Sequence, residues 1–469
     1  MAYLDPDEAA AIAHGCWVVD RPESALTSFA IDTRLLQAGE TFVALKTARA
    51  DGHAFLRKAR QFRARAALVE QPDREVALPQ LVVRNSLVAL QELARAWRDR
   101  FTAPVIGVTG SFGKTTVKEI LGTVLGSQWF RTRGNYNNHI GVPLSLLELD
   151  PRHHAGAIIE AGINDTGEME PLAGMIRPGM AIITAVGPAH LERLGTLAGV
   201  AREKALLGRA VPPGGDVFIP AQVLAHEAFR ALAGPVRLHA LAGPGDRVDP
   251  AWGRLENVTI YHYKWTETTG SRGMGELVTE PPMLPGKFAF RAGSPGMVSN
   301  LALVVHASLH LGVPVSTIQS RLAAWQPFRQ RGEIRQHGPT TYYVDCYNAN
   351  PGSMLDSARR FRSLYAGRAH CYVLGGMNEL GGESALWHRK TGASLPVQEG
   401  ADVFLYGEGS LDLAEGLRSQ GVAAERIHVV GDLEEIRGKL DGFQGAVFLK
   451  GSRSHGLESL VPTGGGSPC

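Results

Sequence analysis

At 469 residues, with 44% hydrophobic and 20% charged residues and a formal net charge of +2, the chain has the composition of an ordinary globular protein. It is long enough for two to four domains, since single cores rarely grow beyond about 250–300 residues. The balanced charge leaves no general electrostatic footprint for nucleic acid. No apolar run approaches the roughly 18–20 residues of a membrane span. The opening MAYLDPDEAAAIAHG is acidic where a signal peptide is basic, so export is not expected. Cys16, Cys346, Cys371 and Cys469 are scattered and form no C-x-x-C pair, which argues against a zinc site or disulfide framework. A cytoplasmic enzyme is the expectation.

The first segment, residues 1–101, mixes short β-like runs (FAIDTRLLQAGETFVALK, AALVE, LVVRN) with the helical FLRKARQFRA and SLVALQELARAWRDRF. It reads as a small α/β domain. The second, residues 102–326, opens on VIGVTGSFGKTTVKEIL. Strands AGAIIEAG and MAIITAVG alternate there with helical stretches such as GTLAGVAREKALLGRAV, predicting a mostly parallel, doubly wound sheet. NVTIYHYKWTE and MGELVTE read as antiparallel strands at one edge of it, and GMVSNLALVVHASLHLG and STIQSRLAAWQ as helices. The third segment, residues 327–469, alternates TYYVDCYNANP, AHCYVLGGMNELG, ADVFLYGEG, RIHVV and GAVFLKGSR with helical stretches, a Rossmann-like pattern. The tail PTGGGSPC is expected to be disordered. The fold class is thus α/β in three domains.

The strand, glycine-rich turn and helix start at Val105–Leu121 have the order of a P-loop. Gly107, Gly110 and Gly113 allow backbone N–H groups to approach phosphate oxygens, with Thr109, Ser111 and Thr116 in the same loop and helix start. The helix start aims its unpaired N–H groups at the same anion. Lys114 would hold the β- and γ-phosphates, and the Thr115 hydroxyl would ligate magnesium. Val108 stands where the usual first glycine belongs, so G-x-x-G-x-x-G-K-T-T describes the loop better. Ligands of an open parallel sheet gather beyond the carboxyl ends of its strands, which places Glu160 and His190 beside Lys114 and Thr115 as candidate metal ligands. The same residues also read as a strand-end acid and a helix N-terminal histidine. From the residues alone, Asn135, Asn137 and Asn138 in GNYNN read as turn chemistry, and Lys204 in AREKALL as a solvated surface charge.

VTGSFGKTT, GNYNNHIGVPLSLL, EAGINDTGEM, GPAHLERLG, AREKALL, DCYNANPGSM, MNELG and LKGSR occur in the order of the Mur ligases. Within that family they resemble the type that adds D-alanyl-D-alanine to UDP-MurNAc-tripeptide. DTRLLQAGETFVALKTARADGH extends the resemblance into the first segment. It implies a UDP-substrate-binding domain, a central ATP-binding domain and a C-terminal ligase domain. It implies Lys114, Glu160, His190 and Lys204 as catalytic residues, with Lys204 carbamylated. Thr115, Glu160, His190 and Lys204 would serve two magnesium ions. Asn138, Arg331, Asp345, Tyr347, Asn348 and Asn350 would line the nucleotide, and Glu168 an active-site loop. Thr33, Arg34, Asp51, Gly52 and His53 would belong to the uridine-nucleotide pocket. The resemblance also favours a monomer, and leaves the roles of Lys450, Ser452 and Arg453 open.

The chain departs from the family pattern at Thr33, Arg63, Ala161, Ile163, Gly296, Val344 and Gly376. The last three bear on interdomain closure and acceptor recognition. A folylpolyglutamate-synthetase-like ligase and a catalytically silent nucleotide-binding relative are the alternative readings.

Overall fold

The computed structural model describes residues 2–48, 50–267, 274–280, 286–291, 293–326 and 330–462. Three sheets follow one another along the chain. The first is five-stranded: β1 (Cys16–Val18), β2 (Phe29–Ala30), β3 (Thr41–Val43), β4 (Ala66–Val69) and β5 (Gln80–Val82), in the order β1-β5-β4-β3-β2. All its pairings are parallel except β1 with β5. The helix Ser86–Asp99, capped by the Asn85 side chain on the Val88 amide, leads out of it.

The second sheet has nine strands: β6 (Val105–Thr109), β7 (Trp129–Arg131), β8 (Gly156–Glu160), β9 (Met180–Ile183), β10 (Asp216–Pro220), β11 (Arg237–Ala242), β12 (Val258–Glu267), β13 (Met274–Thr279) and β14 (Gly286–Arg291). Their order is β14-β13-β12-β11-β10-β9-β6-β8-β7. Strands β6, β8 and β9 are buried along their whole length, as their continuous apolar runs require when helices cover both faces of a parallel sheet. The antiparallel excursion expected at one edge is β12–β14, although β12 itself still pairs parallel with β11. Strands β7, β10 and β11 carry no clear periodic signature in the sequence and add to the expected set. The helix Pro295–His310 packs under the sheet with ten buried positions, which explains its nearly uniform apolarity.

The third sheet comprises β15 (Glu333–His337), β16 (Thr340–Val344), β17 (His370–Gly375), β18 (Asp402–Tyr406), β19 (Ile427–Val430) and β20 (Ala446–Lys450), in the order β15-β16-β20-β17-β18-β19. Only β15, unanticipated from sequence, runs antiparallel to its neighbour. The glycine-rich tail beyond Pro462 lies outside the described residues. Among the described residues, no helix is long and apolar enough to cross a membrane.

Most departures from the family pattern are absorbed by packing. Ala161, Ile163 and Val344 are core residues. A Cβ on Gly376 would meet the Glu408 carbonyl oxygen at 1.8 Å, so the present backbone excludes any side chain there. Arg63, which stands where the family pattern has a glycine, has a left-handed backbone with φ 61°, a conformation that costs an L-residue roughly 1–2 kcal/mol.

Candidate active site

Strands β6, β8 and β9 are neighbours and parallel, so their carboxyl ends open on one crevice. The loop after β6 turns tightly into the helix Lys114–Leu125. Gly110 (φ 155°) could not carry a Cβ without meeting the Thr184 hydroxyl at 2.0 Å. Gly113 (φ 84°), the residue before the helix, would strike the Asn300 amide at 2.7 Å. The Ser111 hydroxyl donates to the Gly187 carbonyl at 2.9 Å, and the Ser111 amide to Ala185 at 2.9 Å. Ser111 therefore ties the loop to the segment after β9 and does not present a free hydroxyl. Thr109 is wholly buried, and its hydroxyl has no partner among the described residues.

Lys114 folds back to donate to the Gly110 carbonyl at 2.6 Å. Burial pulls its pKa down and the Glu160 carboxylate opposes that pull, while Arg331 adds to it. One residue on, the Thr115 hydroxyl donates to Oε1 of Glu160 at 3.2 Å, which joins the P-loop helix to the end of β8. Asn137 Nδ2 donates to the same oxygen at 2.7 Å. The other oxygen, Oε2, is buried without a hydrogen bond, its nearest charge being the Lys118 ammonium at 3.5 Å.

His190, with φ 54°, stands after β9 and places Nδ1 2.7 Å from Oε2 of Glu379, a residue of MNELG in the third sheet's unit. That contact holds the Glu379 carboxyl below its usual range against the opposing effect of burial. Lys204 is 1% exposed, so it is not the surface charge its helix suggested. Burial first, and then the charge of Lys114, push its ammonium well below the ordinary lysine range, with Glu203 opposing. Glu203 in turn accepts from the Gly167 amide at 2.9 Å, while Glu168 closes its own loop by accepting from the Asn164 amide at 2.7 Å.

The third sheet's unit reaches into this crevice. Arg331 donates to the Thr115 hydroxyl at 3.2 Å and lies 4.1 Å over the Tyr347 ring, whose surroundings Arg453 shares at 5.0 Å. Asn350 caps the helix Pro351–Leu364 with its Oδ1 and donates from Nδ2 to the Ser111 carbonyl at 3.4 Å. Asp345 is engaged within its own unit, by Lys450 at 2.8 Å and by the Ser357 hydroxyl. Lys450 also donates to the Asn348 carbonyl at 2.9 Å, so the K-G-S-R segment knits the Y-N-A-N-P turn in place. Tyr347, Asn348, Asn378, Glu379 and Ser452–Ser454 bound a cleft of about 260 Å³ beside the P-loop. Gly296, at the start of the helix Pro295–His310, donates its amide to Oδ1 of Asp356 at 2.8 Å, and the Ser294 hydroxyl donates to the same carboxylate. A side chain at 296 would displace this bond between units, since a Cβ would lie 2.6 Å from Asp356 Oδ2.

In the first sheet's unit, Thr33, Asp51–His53 and Glu70 follow the carboxyl ends of parallel β2, β3 and β4. Thr33 is buried, whereas Arg34 points outward and pairs with Asp32 at 2.6 Å. The Glu70 amide donates to His53 Nε2 at 2.8 Å, which puts the ring proton on Nδ1, facing Asp51 at 2.6 Å. Gly52 lies against Ala44 and Leu45, where a Cβ would come within 2.8 Å of a backbone nitrogen.

Around Glu160, sequence reasoning did not separate Asn137 from Asn138 and did not name Lys118. Asn138 accepts from the amides of Ile140 and Gly141 and so shapes its own turn, while its neighbour Asn137 reaches Glu160. Lys118 sits one helical turn beyond Lys114, a spacing that could have flagged it.

A P-loop, a strand-end carboxylate and a buried lysine closed over by a Rossmann-like unit define an ATP-dependent ligase architecture. Residues 108–239 match the Mur ligase middle domain, and residues 330–453 match the Mur ligase glutamate ligase domain. The UDP-N-acetylmuramoyl-tripeptide–D-alanyl-D-alanine ligase of Synechocystis sp. is 33% identical over 79% of this chain and 77% of its own length. Among solved structures, MurF from Acinetobacter baumannii superposes with a TM-score of 0.83 at 26% identity, covering 98% of both chains. MurF ligase from Thermotoga maritima in complex with ADP gives 0.75 at 25% identity, covering 92% of this chain and 96% of that one. The chain belongs to the Mur ligase family, and within it to the MurF type. The likeness to the Acinetobacter structure runs through the first sheet as well as the other two.

Proposed function

We propose that the chain is the ATP-dependent ligase that joins D-alanyl-D-alanine to UDP-MurNAc-tripeptide in peptidoglycan precursor synthesis. The observation that carries this reading is the contact of Thr115, Glu160 and Arg331 at the P-loop, in a chain similar along its length to MurF ligases. We assign residues 1–101 to the UDP-substrate, 102–326 to ATP, and 327–469 to closure and the amine acceptor.

In this reading Gly107–Thr116 cradles the triphosphate, with Lys114 neutralising phosphate charge. The substrate's terminal carboxylate takes the γ-phosphoryl group, giving an acyl phosphate and ADP. The amine of D-alanyl-D-alanine attacks that carbonyl, and phosphate leaves as the amide forms. Two anions must meet in the first step, so positive charge is required where they approach. Arg331 and Lys114 supply part of it. The orphaned Oε2 of Glu160 beside the Thr115 hydroxyl is an oxygen donor set that suits magnesium, and His190 and Lys204 complete the group we assign to it. Magnesium there would neutralise and orient the phosphates. The depressed pKa of Lys204 favours the neutral amine, the form that adds to CO₂ and releases a proton to give a carbamate. Such an anionic carbamate would turn a repelling ammonium into an oxygen donor. Arg331, Asn350 and Glu379 hold the third unit against the crevice and keep water from the acyl phosphate. Because two of its substrates, ATP and UDP-MurNAc-tripeptide, are nucleotides, we place the enzyme in the cytoplasm; the family likeness leads us to propose a monomer.

Phosphate release from ATP, measured with each substrate omitted in turn, tests the assignment. Turnover should need UDP-MurNAc-tripeptide and D-alanyl-D-alanine together. Nucleotide binding with no turnover under any substrate combination would instead select a silent relative, and turnover with a folate and glutamate would select the other ligase class.

A further inference from the structure

Lys118 has no exposed surface, yet it sits among Val117, Ile120 and Leu121 on the P-loop helix, where an apolar side chain would pack without the cost of desolvating an ammonium. Its Nζ donates to the Gly134 carbonyl at 3.0 Å and lies 3.2 Å from Oε1 of Glu119 and 3.5 Å from Oε2 of Glu160. Glu119 is itself held by Arg131 at 3.1 Å. One buried cation thus joins three elements that converge on the site: the P-loop helix, the end of β8 and the loop carrying Asn137. That loop is fixed at its far side too, since the Asn137 carbonyl accepts from the Gly162 amide at 2.7 Å while its side chain donates to Oε1 of Glu160. Lys114 faces the phosphate side of the helix. Lys118, four residues on, stands behind the carboxylate.

We propose that Lys118 is a positioning residue for the nucleotide–metal site, setting the Glu160 carboxylate and the loop through Gly134 and Asn137 from behind. It does not touch the phosphates itself. At 3.5 Å from Oε2 and without a hydrogen bond to it, the ammonium orients the carboxylate relative to Thr115 electrostatically and leaves that oxygen's lone pairs unused. Without it, Glu160 would turn toward the donors that remained, and the loop would lose its tie at Gly134 and keep the one at Gly162. This inference rests on the assignment of Glu160 to magnesium in the proposed function.

The test compares the full-length protein with Lys118→Met in two readouts. One is the Mg²⁺ concentration that gives half-maximal phosphate release. The other is ADP affinity by calorimetry, in Mg²⁺ and in EDTA. The expected result is a rise of at least tenfold in the Mg²⁺ requirement and a similar weakening of ADP binding in Mg²⁺. Binding in EDTA should stay within about twofold, and Lys118→Arg should recover part of the loss. Lys118→Met/Glu119→Gln, which also removes the acid that faces Lys118, carries the same expectation and serves if the single variant does not fold. An unchanged Mg²⁺ requirement with only a lower melting temperature, or equal losses in Mg²⁺ and EDTA, would overturn the proposal. If the unsubstituted protein binds ADP equally with and without Mg²⁺, the magnesium assignment falls and this inference with it. If Mg²⁺ matters there and its effect is untouched in the variants, only the role of Lys118 falls.

Discussion

The parallel strands of the central sheet carry a buried carboxylate cluster at each of their two ends, and the clusters are built on opposite principles. Asp216, the first residue of β10, accepts from Arg237 Nε at 2.8 Å and Nη2 at 2.7 Å. It also meets His239 Nε2 at 2.8 Å and His310 Nε2 at 3.0 Å. Phe218 stacks on the His239 ring at 4.4 Å and fixes its plane, and Tyr261 takes the other ring nitrogen at 3.1 Å. Asp216, His239 and His310 have the donor atoms of a cation site, but a bidentate guanidinium already occupies both oxygens and would repel a second cation. Glu160, the last residue of β8, gathers two donors on one oxygen and leaves the other without a hydrogen bond. A saturated carboxylate is a structural knot. A half-satisfied one beside a P-loop, its free oxygen facing one ammonium at 3.5 Å without a hydrogen bond, is the one we assign to a cation in the proposed function.

If that contrast is right, substitutions at the two ends separate into losses of turnover and losses of stability. The largest effect belongs to Lys114→Ala. It should lower ligase turnover by about a thousandfold or more, equivalent to about 4 kcal/mol of transition-state stabilisation, with little change in melting temperature. Steady-state phosphate release and a thermal melt of the same preparation check both halves, and turnover near that of the parent would sink the phosphate-binding assignment. Lys204→Ala comes next. Turnover should fall on the order of a hundredfold, and added short carboxylates should restore part of it if an anionic group is what the site needs. An activity unaffected by the substitution removes the carbamate role. A smaller effect is expected between the units, at Gly296→Ala. Its Cβ would crowd Asp356, at roughly 1–3 kcal/mol of strain in the docked state. KM for ATP and acceptor should rise several-fold while the melting temperature of the central unit holds. Unchanged kinetics would mean that the Ser294–Gly296–Asp356 contact does not bear on closure.

The carboxyl end was the more legible of the two in sequence. A glycine-rich loop between an apolar run and an amphipathic helix points to a phosphate cradle, and the carboxyl-end rule then names Glu160, which the structure joins to Thr115, and His190, which it pairs with Glu379. What stayed hidden depends on contacts across long sequence separations. The GNYNN stretch shows that asparagines shape a loop, but not that Asn137 turns inward while Asn138 caps its own backbone. AREKALL looks like a solvated helix face until packing shows Lys204 buried. Strands β10 and β11 were missed because DVFIP and RLHALA are short, and β15 because EIRQH is polar at a sheet edge where one side needs no core. Arg63 is the reverse case. Its sequence signal is a missing glycine, and the backbone is left-handed regardless, so Arg63→Gly should stabilise the first unit by about 1 kcal/mol in a denaturant titration.

Asp216→Asn should affect turnover least of all, and it tests the comparison most directly. The substitution keeps the shape and removes the charge that faces Arg237 and two imidazoles, so the cost should appear in stability, roughly 1–3 kcal/mol because Arg237 is half exposed to solvent. Its pH dependence has a definite sign. Burial would raise the Asp216 carboxyl, but the bonds from Arg237 and His239 and the charge of His310 outweigh it and hold the pKa at about 2. A carboxyl depressed in the folded state binds its proton later than in the unfolded chain, where the value lies near 4. Its stabilisation is therefore complete above about pH 4 and is lost as pH falls toward 2. The stability gap between parent and Asp216→Asn, measured by urea unfolding, should close as pH falls from about 4 toward 2. The ligase rate at 25 °C should differ by less than about twofold. A large loss of turnover with stability intact would mean that the saturated end also serves the reaction, and the division between the two clusters would fail.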